Sequence, residues 1–158
     1  MFHITTTPIT DDLKKQFLPK NFPDCGSLVS FEGLVRNHNE GLAVSSLEYQ
    51  CFESMALKVG GRILAAAKEK FPIVEAICLH REGHLEVGET AVWVGVYSHH
   101  RGEGFEACRF IIDQVKLLVP IWKKEHYVSH PSSWVACHQC AHPDHHHDHN
   151  HAHGHHHA

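Results

Sequence analysis

Five side chains in this sequence have types and positions that suit them for chemistry: Arg36, His100, Arg101, Lys116 and Lys123. Arginine offers a planar fork for phosphate or carboxylate oxygens. Lysine offers a movable point charge and, once deprotonated, a nucleophile or base. Four of the five fall in one stretch, His99–Glu125, HHRGEGFEACRFIIDQVKLLVPIWKKE, with Lys116 and Lys123 seven residues apart on either side of Pro120. His100-Arg101 lies at a strand-to-helix junction, where free backbone N–H groups and the helix dipole favour an anion. Clustered cations and partial burial both lower a lysine pKa from its reference of about 10.4. Lys116, near the end of a largely apolar helix, is the better placed of the two lysines for such tuning. An anionic substrate is the ligand class these groups suit. On spacing alone, the same lysines also fit side chains reaching to solvent at a helix C-terminus. His80-Arg81 repeats the His-Arg pair at the end of another strand, and His38 sits in a polar Asn-His-Asn turn.

The elements that must position these groups follow from hydrophobic periodicity. Phe2 to Thr6 reads as a strand, and Asp11 to Leu18 as a short helix capped by Thr10 or Asp11. After a loop punctuated by Pro19 and Pro23, residues 26–36 alternate as a strand that ends on Arg36, with Val29, Phe31 and Gly33 on one face. Gly33 marks a bulge or a close backbone approach. Residues 37–41 read as a loop feeding a strand from Val44 to Phe52. Glu53 to Phe71 reads as a helix with Met55, Val59, Ile63, Ala66 and Ala67 as its apolar stripe. Gly60-Gly61 within it costs about 1 kcal/mol per Gly relative to Ala, which points to close packing or a kink. Ile73 to His80 is the next strand, Arg81 to Gly88 a turn-rich connection, and TAVWVGVYS (residues 90–98) the strongest strand signal in the chain. The helix from Gly102 to Leu118 presents Phe105, Ile112, Val115 and Val119 on one face and stops before Pro120. A short extended piece, 126–128, and a strand from Ser133 to Ala136 complete the body. Alternating strands and helices of this kind define an α/β or α+β class with a mixed sheet.

At 158 residues, 42% hydrophobic and 20% charged, the chain suits one globular domain. It carries 14 Lys and Arg against 18 Asp and Glu, of which Asp144 and Asp148 fall after residue 136, so the body holds 14 bases and 16 acids. A near-neutral body excludes a general nucleic-acid binder, and any positive site must be a local arrangement. The N-terminus lacks a basic segment followed by an apolar run, and no window reaches membrane-span length. Cys25, Cys51, Cys78 and Cys108 lie among apolar neighbours as small buried hydrophobes, a usage that suits a reducing cytoplasm.

Residues 137–158, CHQCAHPDHHHDHNHAHGHHHA, form a second, low-complexity region holding eleven of the 19 histidines. Without apolar periodicity it is expected to be disordered. Cys137, Cys140 and His142 open it as borderline-soft ligands suited to zinc, nickel or copper. This supports a competing reading of the chain as a metal-binding or metal-delivery protein acting through its tail. The tail fits a solvated segment that binds metal incidentally equally well.

Taken together, FEGLVRNHN, LEYQCFESMA, HREGHLEVGE, VGVYSHHRGEGFEA and KLLVPIWKKE, in that order, resemble the large, catalytic subunit of molybdopterin synthase over residues 24–136. The resemblance implies an α+β protein of α/β-hammerhead fold, a homodimer that builds a heterotetramer with a ubiquitin-like small subunit. That partner carries a thiocarboxylate on its Gly-Gly tail. The implied sulfurtransferase reaction moves two sulfurs to cyclic pyranopterin monophosphate, forming the molybdopterin dithiolene, with no cofactor required. The implied substrate-contacting residues are Leu34, Val35, Arg36, His100, Arg101, Lys116, Lys123, Lys124 and Glu125, with Lys116 assigned to the chemical step and Lys123 to positioning. A non-catalytic partner of a ubiquitin-like protein is a third reading, and retention of Arg36, Arg101, Lys116 and Lys123 together argues against it. Two positions depart from the family pattern: Gly60-Gly61, and Gly104, which is expected to loosen the first turn of its helix.

Overall fold

Residues 90–98 alternate too little to have one wet face: Ala91 through Val96 are all buried. A strand apolar on both sides belongs in the centre of a sheet covered on both faces. The computed structural model, which describes residues 1–18 and 21–136, has this arrangement. In chain order its elements are β1 (Phe2–Thr5), α1 (Asp11–Phe17), β2 (Ser27–Leu34), β3 (His38–Asn39), β4 (Leu42–Cys51), α2 (Glu53–Lys70), β5 (Ile73–Arg81), β6 (Gly83–Glu86), β7 (Thr90–Ser98), α3 (Arg101–Leu118), β8 (Ile121–Tyr127) and β9 (Ser133–Ala136). Pro19 and the tail, with Cys137, Cys140 and His142, lie outside the described residues.

The first sheet has the order β1-β5-β7-β2, with β1 parallel to β5 and the other pairs antiparallel. Helices α2 and α3 pack together over one face, burying Ala56, Ile63, Leu64, Ala107, Ile111 and Val115 against the strands. Leu13, Phe17 and Leu18 of the α1 region cover the other face above Ile77, Leu79 and Trp93. Thr10 caps α1, its side-chain oxygen accepting from the Leu13 N–H. In the second sheet, wholly antiparallel, β4 pairs with β8, β8 with β9, and the short β3 and β6 join β4. The expected α+β class with a mixed sheet is what the chain adopts.

Several local expectations change. The Arg81–Gly88 connection contains a strand, β6, whose Leu85 is fully buried against the second sheet. Residues 37–41 hold the two-residue β3 and a tight hairpin in which Glu40 and Gly41 both have positive φ, as a type I′ turn requires. The piece expected at 126–128 is the end of a full strand, β8, beginning at Ile121. Its charged residues hid it, because Lys123 and Glu125 point inward. The α2 stripe is also rotated: Ala56, Gly60, Ile63, Leu64 and Ala67 are buried, while Met55 and Ala66 are exposed. Gly60 explains the rotation, since a Cβ there would lie 2.2 Å from the Phe2 ring, whereas Gly61 faces open space. On α3, Phe105 is exposed rather than inward, and Ala107, Cys108 and Ile111 share the buried face with Ile112 and Val115. Gly104 does not loosen that helix. A Cβ would stand 2.7 Å from Ser98 Oγ and 2.8 Å from Val29, so the glycine lets α3 lie against β2 and β7.

Candidate functional site

The two sheets and the last turns of α3 meet around a cavity of about 550 Å³. From the first sheet, β2 contributes Phe31, Glu32, Gly33 and Leu34, β7 contributes Ala91 and Val92, and β5 contributes His80. The second sheet adds Asn39, Val44, Leu47, Tyr49, Lys123 and Glu125, and α3 adds Ile112, Val115 and Lys116. Arg36 and His38 border it from the chain following β2. The β2 register shifts between Gly33 and Leu34, the expected bulge, and the Gly33 backbone lies so close to Val92 that a Cβ would meet it at 2.7 Å. This bulge ends regular pairing just before Arg36 and turns the chain towards the cavity.

Lys116 and Lys123 reach the cavity from different elements. Helix α3 ends at Leu118, Val119 caps it, and β8 starts at Ile121, so the short link through Pro120 folds the strand back across the helix end. Strand alternation then decides which β8 side chains enter. Ile121, Lys123 and Glu125 are buried, whereas Trp122 and Lys124 occupy the opposite face, with the Lys124 ammonium 5.6 Å from the Trp134 ring.

The lysines differ in burial, opposite to expectation. Lys116 is exposed, whereas Lys123 is only 7% exposed. Lys123 Nζ lies 2.7 Å from Glu125 Oε1. The Glu125 carboxylate also accepts from Asn39 Nδ2 at 3.1 and 3.0 Å and from the Tyr127 hydroxyl at 2.6 Å. Burial pushes the Glu125 carboxyl up, but the hydrogen bonds from Lys123, Tyr127 and Asn39 outweigh it and hold the group below the ordinary carboxylate range. Its oxygens are therefore engaged in holding Lys123 and the β3 turn. Arg36 Nη2 donates to Asn39 Oδ1 at 3.4 Å, which links the arginine to the same network.

The remaining expected residues are placed differently. Val35 is buried and does not border the cavity; its backbone N–H donates to the Glu89 carbonyl and its carbonyl accepts from Gly88. His100 and Arg101 are exposed at the start of α3. At a rise of 1.5 Å per residue, Arg101 lies about 22 Å along the helix from Lys116. One chain therefore brings together Leu34, Arg36, Lys116, Lys123 and Glu125, but not His100, Arg101 or Lys124. Asn39 and Tyr49 were missed by sequence reasoning. Their signal was positional: Tyr49 shares an inward face with Leu47 on β4, and Asn39 sits where the turn meets β8.

Three cations on a partly apolar concavity of this size are a chemistry that suits an anionic small molecule. Residues 4–117 match the family described as MoaE protein. A molybdopterin synthase catalytic subunit from Nostoc sp. (strain PCC 7120) is 44% identical over 116 residues, which are 73% of this chain and 70% of the relative. Among solved structures, the molybdopterin synthase from Staphylococcus aureus superposes with a TM-score of 0.76 at 32% identity, covering 84% of this chain and 94% of that one. A Helicobacter pylori structure of a complex of subunits 1 and 2 of molybdopterin-converting factor shares the fold at 17% identity, with a TM-score of 0.67 over 90% of this chain and 93% of that one. The chain belongs to the family of molybdopterin synthase catalytic subunits. None of these similarities supports the metal-delivery reading. Among the described residues no group of three or more His, Cys, Asp and Glu is arranged to hold a metal ion, and no helix is long and apolar enough to cross a membrane.

Proposed function

We propose that this chain transfers sulfur from the thiocarboxylated C-terminus of a ubiquitin-like small subunit to cyclic pyranopterin monophosphate, forming the dithiolene of molybdopterin. It is a sulfur-transferring enzyme of molybdenum cofactor biosynthesis. The observation that carries the reading is the convergence of Arg36, Lys116 and Lys123 on one cavity in a member of this family. Arg36 suits the cyclic phosphate, as a forked donor beside the cavity mouth. Lys116, exposed near the end of α3, is the cation that meets the thiocarboxylate and opposes the negative charge developing on its acyl oxygen. Lys123, held by Glu125, positions the substrate; Glu125 acts through Lys123. The partner rests on the family resemblance, and the Helicobacter pylori complex of two subunits is consistent with it.

His100 and Arg101 enter this scheme from a second copy of the chain. They lie about 22 Å along α3 from Lys116, so a homodimer is the arrangement in which both ends of the helix serve one site. The free thiols of Cys25, Cys51, Cys78 and Cys108 suit a reducing, cytoplasmic setting. Reconstitution with the thiocarboxylated partner and the pterin precursor tests the function, and a failure to yield dithiolene overturns it. Mixing Arg101→Ala with Lys116→Ala chains tests the shared site. Each heterodimer then keeps one intact site, and activity returns to about a quarter of wild type. No recovery would place all the residues in one protomer.

A further inference from the structure

His80 is the cavity residue the proposed chemistry leaves unused. It sits near the end of β5, is 6% exposed, and borders the cavity between Tyr49 and the last turns of α3. Its Nδ1 lies 2.8 Å from the Arg81 carbonyl oxygen. A carbonyl can only accept, so Nδ1 carries the proton and Nε2 keeps a lone pair. The Tyr49 ring meets the imidazole edge-on, with centroids 5.2 Å apart and planes at 78°, which fixes the ring orientation. Arg81 is anchored in turn: its guanidinium donates to the Thr6 and His84 carbonyls, so the backbone group that sets the tautomer is itself held.

We propose that His80 is a substrate-positioning residue, a neutral hydrogen-bond acceptor on the cavity wall whose Nε2 receives an N–H donor of the bound heterocycle. The assignment rests on the pterin-binding reading above. It adds to it a residue that selects the ring, where the cations select the phosphate and the thiocarboxylate. A pterin carries ring N–H and exocyclic amino donors that must be satisfied once the ligand leaves water. The acceptor side chains on the cavity wall are already engaged by the protein: Glu125 takes three donors, Glu32 takes the Lys14 ammonium and the Thr90 hydroxyl, and Asn39 Oδ1 takes Arg36. Neutrality suits the role. Burial lowers the His80 pKa to about 4, against the Arg81 carbonyl bond that raises it and with the Lys116 charge that lowers it further. An acceptor built this way discriminates against rings lacking the donor more strongly than apolar contact does.

The test is equilibrium binding of cyclic pyranopterin monophosphate to the full-length chain, as wild type, His80→Phe and His80→Gln. Phenylalanine keeps the flat shape without an acceptor, and glutamine can restore an acceptor near the Nε2 position. The expected result is binding weakened roughly 10- to 100-fold in His80→Phe, from the stranded donor. His80→Gln should recover most of the loss, and affinity for the small subunit should stay unchanged in both. In the wild type, the ¹⁵N resonance of His80 Nε2 should move on precursor addition while Nδ1 stays put; that titration decides the matter even if His80→Phe fails to fold. Wild-type affinity in His80→Phe, or a still Nε2 resonance in a precursor-bound wild type, overturns the assignment alone. A wild type that does not bind the precursor at all overturns the functional reading and this assignment with it.

Discussion

Acidification should destabilise this protein through His80 by an amount the structure fixes. The imidazole is nearly enclosed, and burial is the largest cause of its fall from 6.5 to about 4, with the Lys116 charge adding to it and the Arg81 carbonyl opposing it. Because the folded value is depressed, the unfolded chain takes up the proton first. The stability this neutral ring contributes is complete above pH 6.5 and is lost as pH falls towards 4. Over the whole window the loss amounts to about 3 kcal/mol, and between pH 7 and pH 5 to about 2 kcal/mol. Replacing His80 by Gln removes the titrating group and leaves the other carboxylates and histidines in place. Urea denaturation of both proteins at pH 7 and pH 5, at one protein concentration, isolates the difference. The wild type should lose about 2 kcal/mol more than His80→Gln between the two pH values. Equal losses would mean that the ring is solvated and charged on acidification, which would refute the burial argument.

Other perturbations separate structural from chemical roles. Gly60→Ala should cost about 1–3 kcal/mol, because its methyl meets the Phe2 ring, whereas Gly61→Ala, facing open space, should raise the melting temperature by a few degrees, about 2–4 °C. Lys123→Ala should destabilise by roughly 3 kcal/mol, since it leaves the buried Glu125 without its cation. Lys116→Ala, at an exposed position, should change stability by less than about 0.5 kcal/mol, which chemical denaturation will show. Gly104→Ala should lower stability through collision with Ser98 and Val29, measured in the same way.

The parts of the fold that could be read from the sequence are those where a side chain's type matches its burial. Residues 90–98 announced a strand because β-branched and aromatic residues fill it, though its place inside the sheet was not foreseen, and Pro72 and Pro120 marked helix ends that the structure keeps. Reading failed where the match breaks. Lys123 and Glu125 face inward as a mutually satisfied pair, so only the end of β8, at 126–128, read as extended. Gly60 is buried because it lacks a side chain, which shifted the apparent stripe of α2 by one position. The cations of the site were identifiable by type, and Arg36, Lys116 and Lys123 do converge. Which of them share a cavity was not, because a helix of 18 residues separates Arg101 from Lys116 in space while sequence proximity suggests the reverse.

In the function proposed for this chain, Lys116 performs chemistry at a cavity that Arg36 and Lys123 equip to hold the pterin. The most direct test of that role is single-turnover dithiolene formation from cyclic pyranopterin monophosphate and a thiocarboxylated small subunit, comparing wild type with Lys116→Ala under conditions where both bind precursor and partner. The wild type should form product, and the folded variant should do so at least about 100-fold more slowly, the usual loss when a charge-stabilising group is removed. Turnover at the wild-type rate by Lys116→Ala would contradict that role.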